Sequence, residues 1–405
     1  MSAEKTTSTK PAKKARPRRK PRRSRSTGPS THKRTVLVTG YPGFIGKRLV
    51  RSLLTREPNS TFYLLVQEKF VEDARRYVQA LRKKNLAKVH LLTGDIADMH
   101  LGLAADELKK LSRDLTDIYH LAAISYLGVP DDQMWQVNVQ GTVNLLELAE
   151  EARHLQRFNH VSTTFVSGNR EGVITEEDLD CGQGFRNLYE RTKFEAEKKV
   201  RAAMGRMPIT VYRPSIVVGD SKTGEIGRFD GPYYLGILLV SSPLSVPLPL
   251  PGDGGAPMNM IPVDYAVDTI LHLSQHPEAE GLTFQIVDPN PMSARAAYQL
   301  IARCAGLQAN KISLATGLPR SLLSGLTKLV LSAPGLEKIS RAPRQAIDYV
   351  SSMAIYNSTN TMRLLKGSDL ECPPFEDYAD NLVTYVRRYY ENRRKKREAD
   401  EDPLA

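Results

Sequence analysis

Short apolar runs alternate with longer amphipathic segments over the first 290 residues of the chain. A continuous apolar run bounded by polar residues predicts a strand buried on both faces, as in a parallel sheet. These predicted strands lie at residues 35–38, 62–66, 89–92, 117–122, 157–161, 209–213 and 281–287. Apolar residues at helical spacing predict helices at residues 47–54, 68–86, 135–155 and 189–204. The alternation predicts an α/β fold, namely a doubly wound parallel sheet with helices on both faces.

The pattern changes after the last predicted strand. From residue 294 to about residue 397 it predicts a mostly helical region, interrupted at Pro319, Pro334 and the Pro373-Pro374 pair. A very apolar segment at residues 229–251 carries four prolines in its second half, which argues against a membrane-spanning helix. We therefore predict no transmembrane segment.

The positive charge of the chain is concentrated at its start. Residues 1–34 contain thirteen of the 57 Lys and Arg residues but one of the 45 acidic residues, so the formal charge of +12 belongs to this segment. With almost no apolar residues, the segment cannot offset the entropy of ordering, and we predict that residues 1–33 are a disordered basic tail. Besides a solubilising role, such a tail fits an anionic membrane surface, an acidic polymer or a targeting segment.

Cysteine content adds little to this picture. Cys181, Cys304 and Cys372 are far apart and show no paired spacing, which predicts thiols of a reducing compartment without disulfides. The sequence also contains no cluster with metal-ligand spacing, so we predict no metal site. We expect a cytoplasmic protein that the basic tail could attach peripherally to a membrane surface.

A glycine turn follows the first predicted strand. Gly40, Gly43 and Gly46 lie between that strand and an amphipathic helix. Backbone N–H groups and the helix dipole in such a turn form an anion site suited to a pyrophosphate.

Tyr189 and Lys193 are four residues apart and therefore share one face of a predicted helix. A free tyrosine has a pKa near 10, and a neighbouring ammonium group lowers it toward neutrality. A tyrosine in this setting can exchange a proton with a substrate oxygen. Taken singly, each residue reads as an ordinary surface side chain, but the glycine turn upstream favours a catalytic pair. Ser162, Thr163 and Thr164 at a strand end supply hydroxyl groups that could orient the oxygen.

The motif from Thr39 to Gly46 resembles the Thr-Gly-x-x-Gly-Phe-[Ile/Leu]-Gly signature of extended short-chain dehydrogenases/reductases. Further matches to this family occur in the expected order, over roughly residues 34–290: Gly94-Asp95-Ile96, His120-Leu-Ala-Ala123, Asn138-Val-Gln-Gly-Thr142, Tyr189-x-x-x-Lys193 and Arg213-Pro214. The resemblance implies an NAD(P)-binding Rossmann domain. It also selects Thr163 as the hydroxyl that acts with Tyr189 and Lys193. The segment at Asn138 is expected to brace the fold.

The resemblance also implies which residues hold the cofactor. Asp95 and Ile96 flank the adenine, Leu121 to Ala123 line the middle of the cofactor, and Lys193 holds the nicotinamide ribose. The full implied set is Gly40, Gly43, Phe44, Ile45, Gly46, Gln67, Asp95, Ile96, Leu121, Ala122, Ala123, Lys193 and Pro214.

The end of the second strand bears on the choice of cofactor. Val66 stands where family members that prefer NAD have Asp, and Gln67 stands where those that prefer NADP have Arg. Because the acid that would bind a ribose 2′-hydroxyl is absent, we favour NADPH over NAD. Glu68 argues against this choice. Candidate partners for the 2′-phosphate are Lys47, Arg48 and Lys69.

Within the family, the chain looks most similar to the fatty-acyl-CoA reductase and thioester-reductase branch. The matching segments are Leu64-Leu-Val66, His160-Val-Ser-Thr163, Tyr212-Arg-Pro-Ser-Ile-Val217 and Met260-Ile-Pro-Val-Asp-Tyr265. The resemblance implies NADPH-dependent reduction of a fatty acyl thioester, bound to CoA or a carrier, to an aldehyde or alcohol. Thr163 and Tyr189 would stabilise the oxyanion while the thiol leaves. The apolar segment at 229–251 could line the acyl channel or pack as ordinary loop and core.

Two other functions remain open. One is an epimerase/dehydratase or a 3-hydroxy or ketone dehydrogenase of the same superfamily. The other is a dinucleotide-binding sensor or scaffold. The predicted organisation is a tail at 1–33, a Rossmann domain at 34–290 with a substrate-loop insertion near 220–260, a helical cap or substrate region at 291–392 and a charged tail at 393–405. The oligomeric state is left open.

Overall fold

The structure is a computed structural model that describes residues 34–82, 88–125, 129–227, 254–306 and 352–401, with side chains as far as residue 392 in the last range. The predicted basic tail at 1–33 and the predicted acyl-channel segment at 229–251 lie outside the described residues.

A seven-stranded parallel sheet forms the centre of the fold. Its strands all come from the seven predicted apolar runs. They are β1 (Thr35–Thr39), β2 (Thr61–Val66), β3 (Lys88–Thr93), β4 (Asp117–His120), β5 (Arg157–Val161), β7 (Ile209–Pro214) and β10 (Thr283–Ile286). Their order across the sheet is β10-β7-β5-β4-β1-β2-β3, and all neighbouring pairs are parallel. The chain extends the sheet to one side of β1 first and then to the other, which is the Rossmann arrangement.

Helices follow most of these strands. In chain order they are α1 (Phe44–Arg56), α2 (Val71–Arg82), α3 (Ala105–Asp114), α4 (Asp131–Trp135), α5 (Gly141–Glu151), α6 (Leu188–Ala203), α7 (Val263–Gln275), α8 (Ala294–Cys304), α9 (Thr359–Leu365) and α10 (Phe375–Glu401). A π-helical turn (Gln136–Gln140) joins α4 to α5. Helix α10 continues through residues 393–401, which lie within the predicted charged tail.

Side chains of β1 alternate between two apolar cores. Val36 and Val38 pack with α1, α2 and α7, whereas Leu37 packs with α3, α5 and α6. All five residues of β1 are buried, as expected for a central strand covered on both faces. The predicted doubly wound α/β fold is therefore confirmed.

Two small parallel sheets were not predicted. One pairs β6 (Gly172–Ile174) with β11 (Ala354–Tyr356), and the other pairs β8 (Ile216–Val218) with β9 (Met260–Pro262). Three residues are too few to show a periodic pattern, and the partners lie far apart in sequence, so local patterning could not reveal them.

The predicted helical C-terminal region is present in the described residues. Helices α8 and α10 share a third apolar core with β8 and β9, while Leu364 and Leu365 of α9 join the core that contains α1 and α7. The domain boundaries drawn from the sequence remain predictions. Across the described ranges, no helix combines the length and apolar character needed to cross a membrane.

Candidate functional site

The glycine turn is packed against the end of the neighbouring strand β4. Gly40 has a φ of +82°, and a Cβ placed there would lie 2.7 Å from the carbonyl carbon of Leu121. A Cβ on Gly46 would lie 2.6 Å from the carbonyl oxygen of Gly40. Both positions therefore require glycine, the first because of its positive φ and the second because of the close backbone approach. The turn follows β1, which lies between β2 and β4. At this position the strand order of the sheet changes direction, and such folds usually bind their ligand in the crevice there.

The N-terminus of α1 is suited to an anion. Its capping residue, Gly43, has no side chain to bond the first backbone N–H groups, and no acidic residue occupies the first turn. These N–H groups have no partner within the helix, and the helix dipole is positive at this end. Together with the space that the glycines leave open, they fit the pyrophosphate of a dinucleotide.

Most of the predicted cofactor residues lie along one edge of the sheet. The carboxyl ends of parallel strands share an edge, so the strand order determines the order of the residues that follow them. That order is Pro214 (β7), Leu121 to Ala123 (β4), Gly40 (β1), Gln67 (β2) and Asp95 with Ile96 (β3). The structure thus brings the predicted residues together in one row.

Gln67 and Asp95 contact each other at the β2–β3 end of this row. Gln67 Nε2 donates to Asp95 Oδ2 at 2.6 Å, and Asp95 Oδ1 accepts from the backbone N–H of Ala97 at 2.9 Å. Both carboxylate oxygens of Asp95 are therefore engaged. The Gln67 amide is oriented with its nitrogen toward Asp95. Ile96 is buried against Gly141, where a Cβ would lie 2.8 Å from its side chain.

The three basic candidates for a 2′-phosphate have different surroundings. Arg48 is ion-paired with Asp220 at 2.5 Å. Lys47 Nζ lies 3.7 Å from the centre of the Tyr77 ring, and Lys69 Nζ lies 5.1 Å from that of Phe70. Arg48 is thus already paired with an acid. A cation on an aromatic ring is not neutralised in this way.

Lys193 is buried and fixed to the end of β5. Its Nζ donates to the carbonyl oxygen of Val161 at 2.9 Å, two residues before Thr163. Burial lowers the pKa of Lys193 to about 8, against the opposing effect of Glu197. This contact places the ammonium group at the last residue of β5, the strand that leads to the predicted hydroxyl residue.

Tyr189 and Thr163 lie at the starts of neighbouring elements. Tyr189 is half-buried in the first turn of α6, one turn before Lys193. Thr163 caps the short helix Thr164–Ser167, and its Oγ1 accepts from the N–H of Phe165 at 3.3 Å. That contact uses the oxygen as an acceptor, so the hydroxyl hydrogen can still be donated to a ligand.

The three hydroxyl candidates differ in their hydrogen bonds. Ser162 Oγ donates to Glu197 Oε2 at 2.6 Å and is therefore committed to a buried carboxylate. The Thr163 and Thr164 side chains are both buried. The geometry therefore disfavours Ser162, and the choice of Thr163 over Thr164 rests on the family resemblance.

A line of buried polar side chains connects the glycine turn to α5. Thr39 Oγ1 and Thr142 Oγ1 each lie 2.9 Å from a ring nitrogen of His120. Thr142 donates to the Asn138 carbonyl at 2.8 Å, so it accepts from His120 Nε2, and the Nδ1 atom accepts from Thr39. Burial, with the nearby Lys193 cation adding to it, lowers the pKa of His120 to about 3, so the ring is neutral.

Asn138 extends this line to α6. From within the π-helical turn its side chain contacts both the N–H and the carbonyl of Ile124, at 2.7 and 3.0 Å, and donates to Thr192 Oγ1 at 3.0 Å. Asn138 thus clamps the segment after β4 against the helix that carries Tyr189 and Lys193. The expectation that it braces the fold agrees with these contacts.

A buried ionic cluster, which was not predicted from the sequence, contacts the site at Ser162, the residue before Thr163. Glu197 accepts from Arg213 Nη2 at 2.7 Å, from Arg201 Nε at 2.9 Å and from Ser162. Burial by itself would raise the pKa of Glu197, but these partners lower it below its ordinary value. The spacing of Glu197 and Arg201 was the available signal, yet such a pair usually marks an exposed helix face.

Comparison with known proteins identifies the family. The family described as Male sterility protein matches residues 38–270, more than half of the chain. The chain belongs to this family. The predicted resemblance to the fatty-acyl-CoA and thioester-reductase branch of extended short-chain dehydrogenases/reductases is confirmed. The prediction of a nicotinamide-dependent oxidoreductase is confirmed at the level of the family.

The relatives of this chain include a synthase and a reductase. A linear gramicidin synthase polypeptide of Brevibacillus parabrevis is 28% identical over 361 residues, covering 84% of this chain and 7% of that protein. Fatty acyl-CoA reductase wat of Drosophila melanogaster is 26% identical over 276 residues, covering 58% and 53%. The chain therefore spans about half or less of the length of these relatives.

A solved structure agrees over most of the fold. The terminal R domain from the myxalamid PKS-NRPS biosynthetic pathway superposes with a TM-score of 0.74 and 25% identity, covering 89% of this chain and 92% of that one. The match extends the likeness beyond the residues covered by the family match into the C-terminal region.

Proposed function

We propose that the protein is an NADPH-dependent reductase of a fatty acyl thioester, bound to CoA or to a carrier, with an aldehyde or alcohol as product. The observation that supports this most is the anchoring of Lys193 at Val161, which lies two residues before Thr163 in the chain, one helical turn from Tyr189. The row of residues at the sheet edge would hold the dinucleotide, with the glycine turn at its pyrophosphate. When bound, the nicotinamide supplies the hydride.

The chain's own residues supply the proton and the oxyanion contacts. As hydride reaches the thioester carbonyl carbon, Tyr189 would donate its phenolic proton to the oxygen, because the Lys193 ammonium lowers the cost of leaving a phenolate. The resulting hemithioacetal would return that proton to the phenolate as its C–S bond breaks, so that the aldehyde forms and the thiolate leaves with a proton from solvent. Thr163 would donate a second hydrogen bond to the same oxygen. The buried Glu197 cluster and the Asn138 clamp keep α6 in place while charge develops.

The substrate class rests on the relatives. They include a fatty acyl-CoA reductase and the terminal R domain of a PKS-NRPS pathway. The proposed substrate is therefore an acyl group that is already activated as a thioester.

A substrate panel separates the candidate functions. Purified protein is incubated with fatty acyl-CoA or a ketone in the presence of NADPH, and with a 3-hydroxy substrate or a UDP-sugar in the presence of NAD⁺ or NADP⁺. Turnover of acyl-CoA alone supports the proposal, whereas turnover of a ketone or sugar nucleotide supports the dehydrogenase or epimerase alternative. Tight nucleotide binding without turnover on any panel member supports a sensor.

Cofactor preference can be tested at Gln67. We propose NADPH because Gln67 is neutral and because Lys47, a basic residue in the first turn of α1, stacks on Tyr77. Replacing Gln67 with Arg should raise the preference for NADPH over NADH about tenfold, since a charge-assisted bond to phosphate contributes about 1.5–3 kcal/mol. Binding titrations with NADPH and NADH measure this preference in both proteins.

The matched variant is Lys47→Gln, which should weaken NADPH binding and leave NADH binding nearly unchanged. Tighter binding of NADH than of NADPH by the unmodified protein would contradict the proposed preference.

The basic segment at residues 1–33 is proposed to localise the enzyme at an anionic surface. Its deletion should leave kcat/KM unchanged but abolish co-sedimentation with vesicles that contain phosphatidylserine, because each basic residue near such a surface contributes about 1 kcal/mol. Equal sedimentation of the full and shortened chains would rule out this role.

A further inference from the structure

Arg186 joins three separate parts of the described fold around the proposed catalytic residues. One of its guanidinium nitrogens, Nη1, donates to the carbonyl oxygen of Gly168, and the other, Nη2, donates to Ser352 Oγ at 2.9 Å. Its backbone N–H donates to Glu190 Oε2 at 2.9 Å, and Nη1 lies 3.5 Å from Glu190 Oε1. Arg186 is not part of any motif that identified the family.

Two of these contacts flank the catalytic side chains. Gly168 ends the short helix that Thr163 begins, so fixing its carbonyl fixes the far end of the Thr163 turn. Glu190 follows Tyr189 directly in the first turn of α6 and is fully buried, while the Arg186 side chain is 16% exposed. A shift of Arg186 would therefore move both proton-handling residues relative to each other.

The third contact comes from the C-terminal region. Ser352 precedes β11, whose pairing with β6 brings the segment alongside the site. Tyr356 in the same strand lies beside the hydroxyl groups of Ser167 and Thr164 in the Thr163 turn. The C-terminal segment thus contacts the catalytic turn both through Arg186 and directly.

We propose that Arg186 is a positioning residue that sets the spacing of Tyr189 and Thr163, and that Ser352 makes this spacing depend on the docked C-terminal segment. The inference rests on the proposed function for the reaction that is measured. It requires no contact between Arg186 and substrate.

The kinetic test compares Arg186→Met with Arg186→Lys in the full chain. The Met variant should lose about 10- to 100-fold in kcat, because small misplacements of catalytic groups have effects of that size. Its KM for NADPH should not change, and the Lys variant should recover part of kcat. Arg170→Met is the matched control, since Arg170 pairs with Asp178 in the segment between the Thr163 turn and α6, is also partly buried and should retain kcat.

Hydrogen exchange supplies a readout that needs no substrate. Amides of residues 164–168 and 188–192 should exchange faster in Arg186→Met, and to a smaller degree in Ser352→Ala, than in the unmodified chain. If the Met variant does not fold, the Lys and Ser352→Ala variants carry the same comparison. If the unmodified chain turns over no thioester, the proposed function is wrong, but hydrogen exchange still tests whether Arg186 positions the two segments.

The proposal is overturned if folded Arg186 variants keep kcat within about twofold of the unmodified protein, because misplaced catalytic groups have much larger effects. It is equally overturned if exchange in both segments is unchanged. Unchanged exchange in Ser352→Ala alone would overturn the dependence on the C-terminal segment.

Discussion

Replacing Tyr189 with Phe should lower kcat about 10³-fold, since a positioned general acid typically contributes 10²- to 10⁴-fold. Phe keeps the aromatic ring in the first turn of α6 and removes only the phenolic proton. NADPH affinity should therefore remain near that of the unmodified protein. Single-turnover kinetics with a fatty acyl-CoA, beside a nucleotide-binding titration, measure the two effects separately.

Tyr389→Phe is the control, because Tyr389 is an exposed residue of α10 and should keep full activity. A Tyr189→Phe enzyme that keeps kcat within tenfold of the unmodified one would remove Tyr189 from the mechanism. Lys193 or Thr163 would then have to supply the proton.

Replacing Glu197 with Ala should lower the free energy of unfolding by about 3–5 kcal/mol, the usual cost of removing one partner of a buried ion pair. Arg213 is 1% exposed and would lose its carboxylate, and Ser162 would lose its acceptor. The control is Glu150→Ala, whose pair with Arg206 is 47% and 68% exposed and should contribute about 0.5 kcal/mol or less. Chemical denaturation measures both variants.

The contribution of Glu197 to the free energy of unfolding should also depend on pH. Its pKa in the folded protein is lowered, so the unfolded state binds a proton first as the pH falls. The stabilisation is present above the ordinary pKa of a glutamate and is lost as the pH falls through the folded value. The difference in unfolding free energy between the unmodified protein and Glu197→Ala should therefore narrow on acidification. A difference that is constant with pH would show that the pKa of Glu197 is the same in the folded and unfolded states, and a difference that widens on acidification would show that Glu197 is uncharged in the fold.

The sheet could be predicted from the sequence because each of its strands is a continuous apolar run. Burial on both faces leaves little choice of residue in β1, and the glycine turn and the following amphipathic helix confirm where the strand ends. The predicted helices omit α7, although Pro262 precedes it and Asp264 lies in its first turn, and both are helix start signals. The same two residues belong to the segment at 260–265 that matches the family pattern.

The site was predictable only in part. Gly40, Tyr189 and Lys193 belong to local motifs, and the strand order alone brings them to one edge. The contacts of Gln67 with Asp95 and of Asn138 with Ile124 depend on how separate loops meet, and no spacing encodes them. The roles of Glu197 and Arg186 likewise depend on their burial. Both are charged residues in amphipathic segments, and the neighbouring residues in the sequence do not indicate that they are buried.

The central claim is hydride transfer to a thioester carbonyl, and isotope transfer tests it most directly. The full chain is incubated with a fatty acyl-CoA and NADPH that carries deuterium at the reactive carbon, in each of its two stereochemical forms. We expect one form to deliver deuterium to the former carbonyl carbon of an aldehyde or alcohol, together with release of free CoA thiol. Absence of both label transfer and thiol release, with turnover of a ketone or sugar nucleotide instead, would contradict the proposed function.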